Sequence, residues 1–373
     1  MKSDLKIDLV TIARKVVNDC LRVKAGEYFL ISCGDDYYFK FCEEVAVQAI
    51  KVGAYPFIKT STDRLFRTVL DQSIQYLKKP GRFGKALAEF VDVELMVAFS
   101  RNPDIAAGAD PKKLAAMAIG GKPTQDMMYE RNKDTANLRK ASFLYPTPEQ
   151  AMKYGMPFEE YSDLVWGALD IDYDRLRERA KRIAKVMKGA QNVHITNDEG
   201  SDLTFSIKDR PPFIDDGVFD EEDKKNNVYM MNLPTGEVCI APVETSAEGT
   251  ACFGFNRFMG HDLKDLRIDF NGGKIVNIEG KEGADYYKKV LESQTGDKDY
   301  IAELGIGLNP RITKVTGELA LDEKIIGTIH IATGENRMMH GKGVSSFHWD
   351  LVMNRPTLKI DDVIVMENGE YKI

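Results

Sequence analysis

The sequence predicts two domains of different class. Residues 1–190 read as an α/β domain with a mainly parallel sheet, and residues 191–373 as a β-rich α+β domain. Three observations predict this. The chain has 373 residues, enough for two domains of roughly 150 residues each. In its first half, apolar stretches of strand period and helix period alternate. From near Asn192 onward, strand and turn signals dominate.

Each element has its own signal. Leu9, Ala13, Val16 and Cys20 recur at helical spacing, and Gly26 then punctuates the chain. Tyr28 to Ile31 reads as a short apolar strand. Asp35 and Asp36 are placed to cap a helix that carries Phe39, Cys42, Ala46, Ala49 and Ile50. Gly53-Ala54 ends that helix, Pro56-Phe57-Ile58 starts a strand, and Val91 to Phe99 reads as a buried strand. Pro146-Thr147-Pro148 opens a helical stretch that runs, with breaks, to Lys188. Its last part, Tyr173 to Lys188, is charged and amphipathic, and the domain boundary is placed just after it, near residue 190. Beyond it, Leu203 to Ile207, Val228 to Met231 and Thr250 to Phe255 read as strands. Leu266 to Phe270 and Lys274 to Ile278 flank Asn271-Gly272-Gly273, a hairpin signal, and Asn368-Gly369 marks a second. One helix is expected from Ala284 to Leu291.

Composition narrows the function. Hydrophobic residues make up 43% and charged residues 29%, the balance of a folded globular chain. No apolar run approaches the roughly 18 residues of a membrane span. The apolar stretch from Leu9 to Leu21 is broken by Arg14, Lys15 and Asp19, which is not a secretory signal. The expected location is the cytoplasm, with no membrane partner. A net charge of −7 gives no electrostatic reason to bind nucleic acid. The five cysteines form no C-x-x-C pair, so zinc-finger and thioredoxin-like sites are excluded. No strand is followed by a Gly-rich phosphate loop, and no Ser-His-Asp elbow is present.

The chemistry collects near the C-terminus. Three of the five histidines, His330, His340 and His348, fall between positions 330 and 348. In His348-Trp349-Asp350, a strand would aim the imidazole and the carboxylate at one point, because residues two apart share a face. The plain alternative is a core histidine bonded to an aspartate. His330, in Thr328-Ile329-His330-Ile331-Ala332, shares its face with the small Thr328 and Ala332. Glu303 shares its face with Gly305 and Gly307, which leaves room for an ion or substrate. Glu237 follows a turn, Pro234-Thr235-Gly236. Two glutamates, two histidines and an aspartate suit zinc, manganese or cobalt, and a carboxylate-rich set can bridge two ions for metal-assisted hydrolysis. His330, His348 and Asp350 alone have the composition of the two-histidine, one-carboxylate triad that suits iron(II). Glu244, Glu248, Asp322 and Glu323 are expected on the surface or behind the ligands.

At these residues the chain resembles the metalloaminopeptidases of the aminopeptidase T and aminopeptidase S type. The similarity includes Val23-Lys24-Ala25-Gly26-Glu27, Leu144-Tyr145-Pro146-Thr147 and Gly155-Met156-Pro157-Phe158-Glu159-Glu160-Tyr161. It is most specific in Asn232-Leu233-Pro234-Thr235-Gly236-Glu237-Val238, Leu321-Asp322-Glu323-Lys324, Gly327-Thr328-Ile329-His330-Ile331-Ala332 and His348-Trp349-Asp350. The resemblance implies an N-terminal α/β domain, a β-rich C-terminal catalytic domain and a homodimer that encloses its active sites. It implies a two-metal centre with ligands at Glu237, Glu303, His330, His348 and Asp350, and hydrolysis of short peptides from the N-terminus. Glu303 would bridge the ions or act as general base. The family's metal-binding tyrosine falls at Arg337 here, and a guanidinium cannot ligate a cation. Arg337 is expected either in the cleft, paired with a substrate carboxylate, or carried to solvent by the short loop; Glu335, two residues away, is a candidate partner. The same fold serves an iron(II) ring-cleaving dioxygenase of dihydroxypyridine, which is the alternative reading; a third is a non-catalytic metal-binding relative.

Overall fold

Strand order sorts the chain into one parallel and two antiparallel sheets in the computed structural model, which describes residues 8–98, 100–102, 105–106, 109–135, 137–225, 228–258 and 261–373. Contacts divide the chain into two units. One runs up to Leu169 and takes in Gly217–Pro234; the other comprises Asp170–Asp216 and Thr235–Ile373. A single boundary near residue 190 is a different division. The helix Tyr173–Met187 goes with the second unit, and the segment that ends in Pro234 returns to the first.

The first unit holds the parallel sheet. Its strands lie in the order Tyr55–Thr60, Tyr28–Cys33, Val93–Val97, Arg139–Phe143 and Met230–Leu233. Central strands such as Val93-Glu94-Leu95-Met96-Val97 are apolar nearly throughout, as a parallel strand covered on both faces requires. The expected strand over 91–99 is shorter than predicted, and Phe99 lies outside the described residues. The helix Asp36–Lys51 begins where the aspartates indicated: Asp35 is its N-cap and accepts from the Tyr37 amide. The stretch that starts at Pro146 is three helices, Pro148–Lys153, Phe158–Leu169 and Tyr173–Met187. Thr147 and Gln150 close a capping box on the first of them. The long helix Pro111–Thr135 had no counterpart in the sequence reading. None of the described helices is long and apolar enough to cross a membrane.

The second unit carries both antiparallel sheets. One has eight strands, in the order Lys274–Glu279, His261–Asn271, Glu248–Phe258, Asp202–Ser206, Asn192–Thr196, Thr357–Ile360, Val363–Glu367 and Glu370–Tyr371. The hairpin at Gly272-Gly273 turns with both residues at positive φ, which only the mirror-image turn types require. The other sheet has five strands: His348–Asn354, Thr328–Gly334, Ile301–Gly307, Glu237–Ile240 and Phe213–Asp215. Its three inner strands, Thr328–Gly334, Ile301–Gly307 and Glu237–Ile240, are buried at every position. The architecture is that of an α/β domain joined to a β-rich one.

Candidate metal centre

The register of the five-stranded sheet assembles the site. Residues opposite one another in an antiparallel pair share a face. Glu303 faces Ala332, and Ala332 faces Asp350 across the next ladder. His330 lies opposite Gly305, His348 opposite Gly334, and Glu237 opposite Gly307. One face of the sheet thus collects all five predicted ligands from four strands. The other face carries Val238, Ile240, Leu304, Ile306, Ile329, Ile331 and Leu351, which belong to the apolar core.

The small residues have a more exact purpose than leaving room for an ion. A Cβ at Gly305 would lie 1.8 Å from His330 Nε2, and one at Gly307 would lie 2.1 Å from the Ile325 carbonyl oxygen. The space beside Glu303 is thus filled by the His330 ring.

The five side chains converge closely. His330 Nε2 lies 3.4 Å from Glu303 Oε1, 3.5 Å from Glu237 Oε2 and 3.9 Å from Asp350 Oδ1. His348 Nε2 lies 3.2 Å from Glu303 Oε2 and 3.6 Å from Asp350 Oδ1. Glu303 therefore presents one oxygen to each imidazole. Two groups result, Glu237–Glu303–His330 and Glu303–His348–Asp350, and within each the donor atoms lie inside 4.8 Å of one another. Donors about 2.1 Å from a shared tetrahedral ion stand about 3.4 Å apart, so the spacing fits a cation better than hydrogen bonds between the donors themselves. Glu237 Oε2, His330 Nε2 and Asp350 Oδ1 are buried and have no hydrogen-bond partner. Leaving such groups unpaired costs several kcal/mol, on the order of 1–3 each or more where charged; a divalent ion offsets that cost.

Charge points the same way. Burial alone would lower both histidines, but the carboxylates reverse this. Glu303, Asp350 and Glu237 push His330 up to about 9, and Asp350 and Glu303 push His348 up to about 12. Burial would raise Glu303, yet the two imidazoles hold it below the usual carboxylate range. Burial raises Glu237 to about 8 against the pull of Lys324. Protons held by such a cluster are what a metal ion displaces when it binds.

Surrounding residues hold the candidate ligands in place. His348 Nδ1 donates to the Glu335 carbonyl at 2.7 Å, which leaves Nε2 to face Glu303. The outer strand His348–Asn354 is pinned by Asn256, whose carboxamide donates to the Val352 carbonyl at 2.9 Å and accepts from its amide at 2.8 Å. The loop between the ligand histidines is tied down by Asn336, which donates to the Ala302 carbonyl and to Glu244 and accepts from the Gly343 amide. Glu244 also takes Arg210 and the Lys342 amide, so it holds the loop rather than a candidate ligand, while Glu248 is exposed. Asp322 is buried and accepts from Thr316 and Gly317. Cys239 lies on the ligand face opposite Gly305. Burial first, then the charges of Glu303 and Glu237, raise its thiol far above normal and keep it protonated.

Arg337 is not brought to the cluster. Its side chain is 61% exposed, and its fork is closed on Glu335, with Nε 2.6 Å from Oε1 and Nη2 3.0 Å from Oε2. The expected turn into the cleft is replaced by this local pair between residues two apart. The sequence reading, in turn, gave Lys324 no role. Lys324 is fully buried against Glu237, Glu323 and Asp215. Burial would lower its ammonium, and these three carboxylates raise it instead. The available signal was a lysine set between the apolar runs Leu319-Ala320-Leu321 and Ile325-Ile326.

Comparison with known proteins agrees with this geometry. Among curated proteins, the chain is 23% identical over 241 residues to 2,5-dihydroxypyridine 5,6-dioxygenase of Pseudomonas putida KT2440, covering 60% of this chain and 67% of that one. It is 23% identical over 223 residues to aminopeptidase AmpS of Bacillus subtilis, covering 56% of this chain and 53% of that one, about half of that relative's length. Among solved structures, wild-type AmpT from Thermus thermophilus superposes with a TM-score of 0.74 at 17% identity, over 98% of this chain and 99% of that one, which shows a shared fold. The model of one family, described as thermophilic metalloprotease (M29), matches residues 6–371. A largely buried five-residue cluster of carboxylates and imidazoles fits a metalloprotease on the fold shared with AmpT, and the family model that matches residues 6–371 places this chain in the M29 family of metalloproteases.

Proposed function

We propose that this chain is an aminopeptidase that removes N-terminal residues from short peptides. The observation that carries the reading is Glu303, whose two oxygens face the two histidines and divide five ligands into two groups. Glu237 Oε2 and His330 Nε2 would hold one divalent ion, and His348 Nε2 and Asp350 the other, with Glu303 shared. Zinc, cobalt or manganese bound there would polarise a peptide carbonyl and make a water acidic near neutral pH. Glu303 would be shared between the two ligand groups or would serve as the base that takes a proton from water. The sheet face keeps these groups at fixed separations, and burial keeps bulk water from screening them. As in the sequence reading, we take the protein to work as a cytoplasmic homodimer.

The iron(II) dioxygenase reading needs only His330, His348 and Asp350. It leaves the buried carboxylates Glu237 and Glu303 without a task. The test is elemental analysis of the native protein together with two assays. Zinc, cobalt or manganese, with chelator-sensitive release of N-terminal residues from short peptides, is the expected result. Iron with oxygen uptake on a dihydroxypyridine, and no peptide cleavage, would overturn the proposal.

A further inference from the structure

The two oxygens of Glu237 are treated differently. Oε2 faces His330 at 3.5 Å and has no hydrogen-bond partner. Oε1 accepts from Lys324 Nζ at 3.2 Å. The lysine has no freedom to do otherwise. Its side chain is 0% exposed, its ammonium is held also by Glu323 and lies 3.9 Å from Asp215 Oδ2, and Asp215 is fixed by the Thr235 hydroxyl at 2.9 Å. Its backbone is tied, through Asn309, to the turn just before Glu237. The Asn309 amide donates to the Lys324 carbonyl at 2.9 Å, and the Asn309 carboxamide donates to the Thr235 carbonyl at 2.8 Å. A carboxylate can turn about its last bond and offer either or both oxygens to a cation. Here the turn is blocked.

We propose that Lys324 is a positioning residue for the metal centre: it holds Glu237 by Oε1, so that Oε2 alone faces the ion shared with His330 and Glu303. This rests on the two-ion reading above. It deepens that reading by assigning the retention of one ion, and not the other, to a residue that touches neither.

Positioning and simple electrostatics predict opposite signs. Lys324 is a cation beside a cation site, so its charge alone repels the ion, and removing it should tighten binding. If its task is to aim Glu237, removing it should loosen the same ion. Supporting groups behind metal ligands are worth about 10–100-fold in affinity.

The test uses the full chain, stripped with chelator and titrated with zinc alone by equilibrium dialysis and elemental analysis. Lys324→Met is the direct variant. Because it strands three buried carboxylates, a second variant combines Lys324→Met with Glu323→Gln, which removes one charge of each sign. The expected result is two zinc ions per wild-type chain. In the double variant one ion should bind as in wild type and the other about 10–100-fold more weakly, with the metal-free melting transition retained. Two ions bound within about threefold of wild type, or a second ion bound more tightly, would overturn the role of Lys324 and leave the two-ion reading intact. A wild-type chain that binds fewer than two ions would overturn both. A double variant with no cooperative melting transition would make Lys324 a folding residue and overturn its positioning role.

Discussion

Gly305→Ala is the sharpest probe of how the sheet builds the site. Gly305 lies opposite His330, and its added Cβ would meet the ring at 1.8 Å from Nε2 and 2.0 Å from Cε1. Ordinary contact begins near 3.4 Å, so the ring has to retreat by about 1.6 Å, well beyond the roughly 0.2 Å tolerance of a metal–nitrogen bond. The ring cannot retreat cheaply, since Glu237 and Glu303 stand within 3.5 Å of it and the strand is buried at every position. Overpacking of this kind costs about 1–3 kcal/mol. Lower backbone entropy in the unfolded chain returns about 0.4–1 kcal/mol, so a net loss of about 1–2 kcal/mol is expected. The effect on metal should be larger in proportion, because His330 is displaced as a ligand. The assay is zinc content after dialysis, read beside the melting temperature of the metal-free chain. Gly121→Ala is the control: it lies in the helix Pro111–Thr135 with nothing within 4 Å of its Cβ, and should hold or raise stability. A Gly305→Ala protein with wild-type zinc content and melting temperature would refute the argument that this glycine exists to admit the histidine ring.

Four further outcomes are expected. Glu303→Gln should lower peptide hydrolysis at least 10²- to 10⁴-fold, the usual cost of a lost general base, while the melting transition persists; near-wild-type turnover would remove Glu303 from the mechanism. His348→Ala should cut bound metal well below wild type by elemental analysis, since Nε2 belongs to the group with Glu303 and Asp350. Asn256→Ala should destabilise the chain by about 1–3 kcal/mol in denaturant unfolding, because the Val352 amide and carbonyl lose their partners. Arg337→Ala should leave metal content unchanged, and with its guanidinium committed to Glu335, the unmutated enzyme should cleave a dipeptide and its C-terminal amide at similar rates. A strong preference for the free carboxylate, abolished by Arg337→Ala, would restore that arginine as a substrate anchor.

The candidate ligands were legible because strand periodicity is local. Residues two apart share a face whatever the strand pairs with, so His348 and Asp350 could be joined from spacing alone, and the alternation around His330 and Glu303 could be read the same way. The capping Asp35 and the turn at Gly272-Gly273 were legible for the same reason: their hydrogen bonds close within a few residues. Arg337 shows the limit of that reasoning. Its spacing allowed both a pair with Glu335 and a turn into the cleft, and only the folded loop chose between them.

What the sequence determined by itself was the class of each domain, five candidate ligands and the chemistry such donors can support. What only the tertiary structure decided was pairing. The register of four strands sets Glu303 between two histidines, puts the His330 ring in the space left by Gly305, and sets Asn256 against the outer strand. It also carries Lys324 from 87 positions away to one oxygen of Glu237. Such contacts join residues far apart in the chain, and nothing in local periodicity encodes which distant partner a buried charge will meet. The partner is set by how the sheet as a whole buries its apolar face, and the polar residues opposite that face are brought together as a consequence.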